Sequence, residues 1–219
     1  MFGCEAIPEE GVCYLLGAGP LYDYTIQKRP QDLLIAADGG YTHARRMNLE
    51  ADILLGDFDS LGHIPKADHC LVLPQEKDDT DMLAAARVGL EKGYRYFCLL
   101  GGTGGRMDHT LANIQLLAFL EKQGARGWLM AEQNVLTLLG GPGELRLAAG
   151  LKGYLSVLAY GGAAQGVSLE GLKYPLQDAV LTPDFPLGTS NEFTGVPARI
   201  ALELGRVLLI YPRWQEGAE

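Results

Sequence analysis

The stretch Tyr96-Phe-Cys-Leu-Leu-Gly-Gly-Thr-Gly-Gly-Arg-Met-Asp-His109 reads as a strand, a glycine loop and the entrance of a helix that continues over 109–123. Strand, loop and helix in that order form the repeating unit of a parallel sheet covered by helices. The same unit recurs upstream. Residues 12–16 end in Gly17-Ala-Gly-Pro20, and 33–37 are closed by Asp38-Gly-Gly40 before a short helix over 41–47. Residues 52–55 run into Gly56-Asp57, and 70–73 lead to Pro74 and an acidic cluster that opens a helix over 80–91. The loops at Gly17, Asp38, Asp57, 77–81 and Gly101 all follow a strand. In open α/β sheets that edge binds ligands, so these loops are expected to build one cleft.

Beyond residue 126 the texture changes. Short apolar runs at 128–131, 135–139, 145–147, 155–159, 199–204 and 207–211 are punctuated by glycine and proline, with no helical pattern. The expected fold is an α/β domain with a mostly parallel sheet over 1–126, followed by an all-β sandwich over 127–219.

A chain of 219 residues, 47% hydrophobic and 21% charged, fits a packed globular protein. Its net charge of -9 argues against nucleic acid as a partner, because phosphate backbones call for dense Lys and Arg. Cys4, Cys13, Cys70 and Cys98 form no C-x-x-C pair and have no histidines at zinc spacing. Cys13 and Cys98 lie inside apolar runs and are expected to be buried and reduced. No run approaches the roughly 18 apolar residues of a membrane span. No membrane partner and a cytoplasmic location are the expectation.

Asp57 and Asp59 alternate across Phe58, which puts both side chains on one face of an extended segment. Two adjacent carboxylates repel, and a divalent cation relieves the repulsion; the alternative is an Asp-rich turn bonded to its own backbone. In Lys77-Asp-Asp-Thr-Asp81, Thr80 or Asp79 suits a helix N-cap. Asp81 is assigned to a metal site, Asp79 to the helix start, and Lys77 to a phosphate or substrate. The loop Gly101 to Arg106 has neither the G-K-[ST] ending of a P-loop nor G-x-G-x-x-G spacing. Its glycines still let backbone N–H groups approach an anion, and Arg106 offers a bidentate fork to phosphate oxygens. Asp108 and His109 stand at the helix entrance, where Asp108 either serves the site or caps the helix. Carboxylates and an anion cradle share a cleft only if a cation separates them, which points to Mg²⁺ and nucleotide chemistry. Gly17-Ala-Gly19 reads as a plain tight turn.

The ordered set Asp38-Gly-Gly40, Gly56-Asp-Phe-Asp-Ser60, Asp78-x-Thr-Asp81 and Gly101-Gly-x-Gly-Gly-Arg-x-Asp108 resembles the thiamine pyrophosphokinase (thiamine diphosphokinase) family. Gly171-Leu-Lys-Tyr-Pro-Leu176 and Gly188-Thr-Ser-Asn191 resemble that family's thiamine-site segments, so the likeness spans nearly the whole chain. It implies an N-terminal α/β domain and a C-terminal β-sandwich. It also implies a homodimer, with thiamine between the catalytic domain of one subunit and the sandwich of the other. By the same resemblance Asp57, Asp59 and Asp81 hold Mg²⁺, with Asp38 on the same edge. Gly39, Gly101, Gly102, Thr103, Gly104, Gly105, Arg106, Asp108 and His109 line the ATP site together with Asp38. Tyr174 stands where animal members carry a tryptophan against the thiamine rings, Ser190 and Asn191 fall at polar contacts to the aminopyrimidine, and Thr189 belongs to the same substrate-binding segment. Lys77 and His109 replace glutamines of the animal members, as in the bacterial form of the motif.

The resemblance implies transfer of a pyrophosphoryl group from ATP to the primary hydroxyl of thiamine with release of AMP, so attack falls on the β-phosphorus. Arg106 would stabilise charge on the transferred group, and Asp78 or Asp81 would accept the hydroxyl proton. A pyrophosphokinase for a hydroxymethylpterin would keep the N-terminal motifs, but it leaves the Tyr174 and Ser190-Asn191 segments without a use. A nucleotide-sugar transferase built on Asp57-x-Asp59 leaves the glycine loop without one. A catalytically inactive thiamine- or nucleotide-binding regulator would have no need to retain the acidic motifs.

Overall fold

The computed structural model describes residues 7–56, 70–72 and 79–213. Strand outweighs helix among the described residues, with parallel and antiparallel pairing and three helices. The chain divides into two compact units, Pro8–Glu132 and a second that comprises the described residues from Gln133 onward together with Ile7.

The first unit is built from β1 (Val12–Leu16), β2 (Leu33–Ala37), α1 (Gly40–Arg46), β3 (Ile53–Gly56), β4 (Cys70–Val72), α2 (Asp81–Glu91), β5 (Tyr96–Leu100), α3 (Met107–Lys122) and β6 (Arg126–Met130). The strand order is β6-β5-β1-β2-β3-β4, and every pairing in it is parallel. β1 and β2 are buried along their whole length. They carry continuous apolar runs because a parallel strand packs on both faces. The chain proceeds outward from β1 through β4, then returns to the other side of β1 for β5 and β6. The order therefore reverses between β1 and β5, and the crevice at such a reversal is where α/β sheets bind ligands.

The helices start and dock for local reasons. Thr80 caps α2, its Oγ1 accepting from the Leu83 N–H at 3.2 Å, and Asp81 in the first turn suits the positive end of the helix. Met82, Ala85, Ala86 and Gly89 face inward. α1 approaches β1 so closely that a side chain at Gly40 would run into the carbonyl oxygen of Leu16. α3 buries Asn113, Leu116, Leu117 and Leu120, one polar side chain on an otherwise apolar face.

The expected division after residue 126 falls ahead of the observed one. β6 pairs in parallel with β5, Tyr96 opposite Arg126 and Cys98 opposite Trp128, which keeps 127–132 in the first unit. A five-residue apolar strand reads alike in a parallel and an antiparallel setting; only its distant partner tells them apart.

The second unit contains β7 (Asn134–Gly140), β8 (Gly143–Leu147), β9 (Tyr154–Ala159), β10 (Ala164–Glu170), β11 (Leu176–Leu181), β12 (Asn191–Glu192), β13 (Ala198–Leu202) and β14 (Arg206–Pro212). They form two antiparallel groups, β12-β9-β14-β7 and β11-β10-β13-β8. β13 alternates buried and partly exposed residues, the signature of a strand with one wet face. On that outer face Arg199 bridges Glu144 of β8 and Glu170 of β10, both at 2.6 Å. β10, β11 and β12 were not expected from the sequence. Gly166 interrupts the alternation of β10, and β11 keeps most of its side chains partly or fully exposed. No described helix is long and apolar enough to cross a membrane.

Candidate active site and substrate-facing segment

At the reversal point the exits of β1 and β5 are hydrogen-bonded into one piece. The Gly17 N–H donates to Leu100 O and the Gly19 N–H to Gly101 O, both at 2.8 Å. Gly101 has φ +63, and a Cβ there would lie 2.5 Å from Gly17 O. Only glycine satisfies both conditions. Gly17-Ala-Gly19 is therefore more than the tight turn its sequence suggested: it is half of a two-loop platform. Met82, at the start of α2, touches Gly17, which brings the first turn with Asp81 to the same edge.

Two helix-borne side chains hold this platform. His43 of α1 donates from Nε2 to Gly19 O at 2.8 Å, and its Nδ1 is buried with no partner among the described residues. Because a carbonyl only accepts, the hydrogen sits on Nε2. Asn113 of α3 donates from Nδ2 to Gly102 O at 2.9 Å within the interior. Thr103 is buried beside it, its hydroxyl without a partner among the described residues. The Tyr22 hydroxyl and Pro20 lie against Gly104. None of His43, Asn113, Tyr22 or the Gly17–Gly19 pairing was expected from sequence. The available signal was Asn113 itself, a polar residue on the apolar face of α3.

The contacts continue along the edge. Ala18 touches Gly39, and the backbone of Asp38 lies 3.1 Å from the Cβ position of Gly56, the residue before Asp57. Asp38 adopts φ +46, unusual for a residue with a side chain. Its N–H donates to Leu55 O at 2.7 Å and its carbonyl accepts from Tyr41 at 3.1 Å. Hydrogen bonds thus fix a strained corner at the exit of β2, the kind of backbone that clusters at functional sites.

Arg106 and Asp108 form an exposed fork, Nη2 to Oδ2 at 2.6 Å and Nε to Oδ1 at 3.1 Å. The Asp108 carboxyl is held below the usual carboxylate range, first by the Arg106 hydrogen bonds and then by the His109 N–H and the neighbouring charges. This leaves the Nη1 edge of the guanidinium for an anion. Asp79 is engaged by Arg87 at 2.7 Å, in keeping with the structural place expected for it. Asp57, Asp59, Lys77 and Asp78 lie outside the described residues.

Among the described residues no group of three His, Cys, Asp or Glu side chains gathers to hold a metal. The described carboxylates of this edge, Asp38 and Asp81, are hard oxygen donors of the kind that Mg²⁺ would take.

In the second unit the expected substrate residues come together around β12. Tyr174 is 57% exposed. Lys173 is paired with Glu192 at 2.9 Å and holds its Nζ 5.4 Å from the centre of the Tyr174 ring. Ser190 adopts φ +57, and its N–H donates to Ser156 Oγ at 3.1 Å. Thr189 and Ser190 are exposed, whereas Asn191 is buried. The Asn191 amide is spent on backbone: Oδ1 accepts from the N–H groups of Tyr174 and Glu192, both at 2.9 Å, and Nδ2 donates to Tyr174 O at 2.7 Å.

The thiamin pyrophosphokinase catalytic-domain model matches residues 27–129, and the vitamin B1 binding-domain model of the same family matches 144–206. A curated thiamine pyrophosphokinase of Bacillus subtilis is 34% identical over 162 residues, 71% of this chain and 75% of the relative. The crystal structure of the thiamine pyrophosphokinase from Bacillus subtilis superposes with a TM-score of 0.81 at 28% identity, covering 94% of this chain and all of that one. The Geobacillus thermodenitrificans thiamin pyrophosphokinase gives 0.78 at 26% identity, over 95% of this chain and all of that one. Since the two domain models of one family match successive stretches of this sequence and a curated member is 34% identical across most of it, the chain belongs to the thiamin pyrophosphokinase family.

Proposed function

We infer that the protein is a thiamine diphosphokinase. It transfers a pyrophosphoryl group from ATP to the hydroxyl of thiamine, giving thiamine diphosphate and AMP. The carrying observation is the consecutive match of catalytic and vitamin B1-binding models to one chain. The bond that forms joins the thiamine oxygen to the β-phosphorus. The bond that breaks joins that phosphorus to the oxygen retained by AMP, and the hydroxyl proton leaves.

We assign the first unit to ATP and the second to thiamine. The parallel register of β1 through β6 favours an α/β catalytic domain, and the two antiparallel groups favour a sandwich. Phosphate oxygens would lie on the backbone N–H groups of Gly101, Gly102, Thr103, Gly104 and Gly105. Asp38, Gly39 and His109 would border the nucleotide. Arg106, steadied by Asp108, would stabilise charge on the transferred group. Asp57, Asp59 and Asp81 would hold Mg²⁺, which when bound offsets phosphate charge. Asp78 would take the hydroxyl proton and Lys77 would meet substrate. Tyr174 would face the thiazolium cation, a contact of about 0.5–2 kcal/mol, with Thr189, Ser190 and Asn191 beside it. A homodimer with thiamine at the subunit interface completes the assignment, and the buried free thiols of Cys13 and Cys98 suit the cytoplasm.

The acceptor is tested by supplying ATP and Mg²⁺ with either thiamine or a hydroxymethylpterin. Diphosphorylated thiamine alone is expected. Diphosphorylation of the pterin instead would keep the nucleotide site and overturn the acceptor.

A further inference from the structure

We propose that Asn191 is a positioning residue that aims Tyr174, rather than a direct contact to the aminopyrimidine. The proposal rests on the reading of Tyr174 as the thiamine-facing ring.

Asn191 is 3% exposed, and its amide already makes three hydrogen bonds. Both carboxamide lone-pair directions accept backbone N–H groups and one of the two Nδ2 hydrogens is given to Tyr174 O. Two of those bonds close on the two backbone polar groups of a single residue, Tyr174, at 2.9 and 2.7 Å. Tyr174 lies between β10 and β11, outside either strand, and the next residue is Pro175, which has no N–H to give. The amide therefore does for Tyr174 what a strand ladder does elsewhere: it fixes the peptide planes on either side and so the direction of the Cα–Cβ bond.

The neighbours extend that grip. The Lys173 N–H donates to Glu192 O at 3.0 Å, and Leu172 bridges to Phe193. Lys173 Nζ is tied to Glu192 and held near the ring. The residues preceding Asn191 are free to do what it does not. Thr189 and Ser190 are exposed, and Ser190 turns left-handed at φ +57 immediately before Asn191.

A double-mutant cycle with a substrate analogue tests this. Asn191→Asp keeps shape and acceptors but loses the donor to Tyr174 O. Asn191→Ser is run beside it, in case the buried carboxylate prevents folding. Each is combined with Tyr174→Ala and assayed with thiamine and with an analogue bearing oxygen in place of the pyrimidine amino group. A lost hydrogen bond of ordinary strength corresponds to about tenfold in KM for thiamine. KM for ATP and kcat are expected to stay within about twofold. The loss should be equal for thiamine and analogue, and absent once Tyr174 is alanine. Additive losses that fall on thiamine but spare the analogue would make Asn191 a direct contact, leaving Tyr174 in place as the ring. An unchanged thiamine KM in Tyr174→Ala would overturn both the proposal and the reading beneath it.

Discussion

His43 Nε2 meets the carbonyl oxygen of Gly19 at 2.8 Å, and the N–H of the same glycine meets Gly101 O at 2.8 Å. One imidazole on α1 thus steadies the exit of β1 and, through it, the loop after β5. The contact is local, but what it aligns is the pair of loops flanking the sheet's reversal point. His43→Leu is expected to raise KM for ATP several-fold while leaving KM for thiamine unchanged. The lost bond should also cost about 1 kcal/mol of stability. His43→Gln, whose amide can donate, should recover part of both. Equal losses for the two substrates would argue against a role confined to the nucleotide side.

Gly101→Ala tests the platform itself. The substitution needs a left-handed alanine and places its Cβ 2.5 Å from Gly17 O. Strain of about 1–3 kcal/mol is expected, seen as a lowered Tm together with loss of activity. Gly124, also left-handed but with open space around its Cβ position, is the control. Gly124→Ala should lower Tm less and leave activity intact.

Arg106→Lys should lower kcat by about tenfold or more, because an ammonium cannot hold Asp108 and an anion on two separate edges. The fork is exposed, so Tm should not change. A normal kcat in the lysine variant would reduce Arg106 to a point charge.

Acid stability depends on Asp32. Burial pushes its carboxyl up, but the Arg29 side chain, the N–H groups of Val12 and Arg29, and the Arg29 charge outweigh burial and hold it below the usual carboxylate range. A depressed carboxyl stabilises the fold above its unfolded value of about 4. That stability is lost as pH falls through the folded value. Denaturant midpoints measured from pH 7 toward pH 3 should therefore fall more steeply in the wild type than in Asp32→Asn. At pH 7 the variant should be less stable by about 1–3 kcal/mol.

Much of the first unit could be read from the chain because its signals are local. The wholly apolar runs of β1, β2 and β5 mark buried parallel strands, and Thr80 with Asp81 marks the start of α2. What escaped depends on partners far apart in sequence. The Gly17–Gly19 segment looks like any small turn until Leu100 and Gly101 lie beside it. Trp128 looks like the start of the first strand of a β domain until Cys98 lies opposite. Nothing near Asn191 in the sequence tells that its amide bonds both backbone polar groups of Tyr174. In each case the residue type was informative and its partner was not.

The most direct test of the account is the nucleotide product. With ATP, Mg²⁺ and thiamine, the protein should release AMP and thiamine diphosphate in equal amounts, and no AMP without thiamine. Release of ADP with thiamine monophosphate would mean attack at the γ-phosphorus and would contradict pyrophosphoryl transfer.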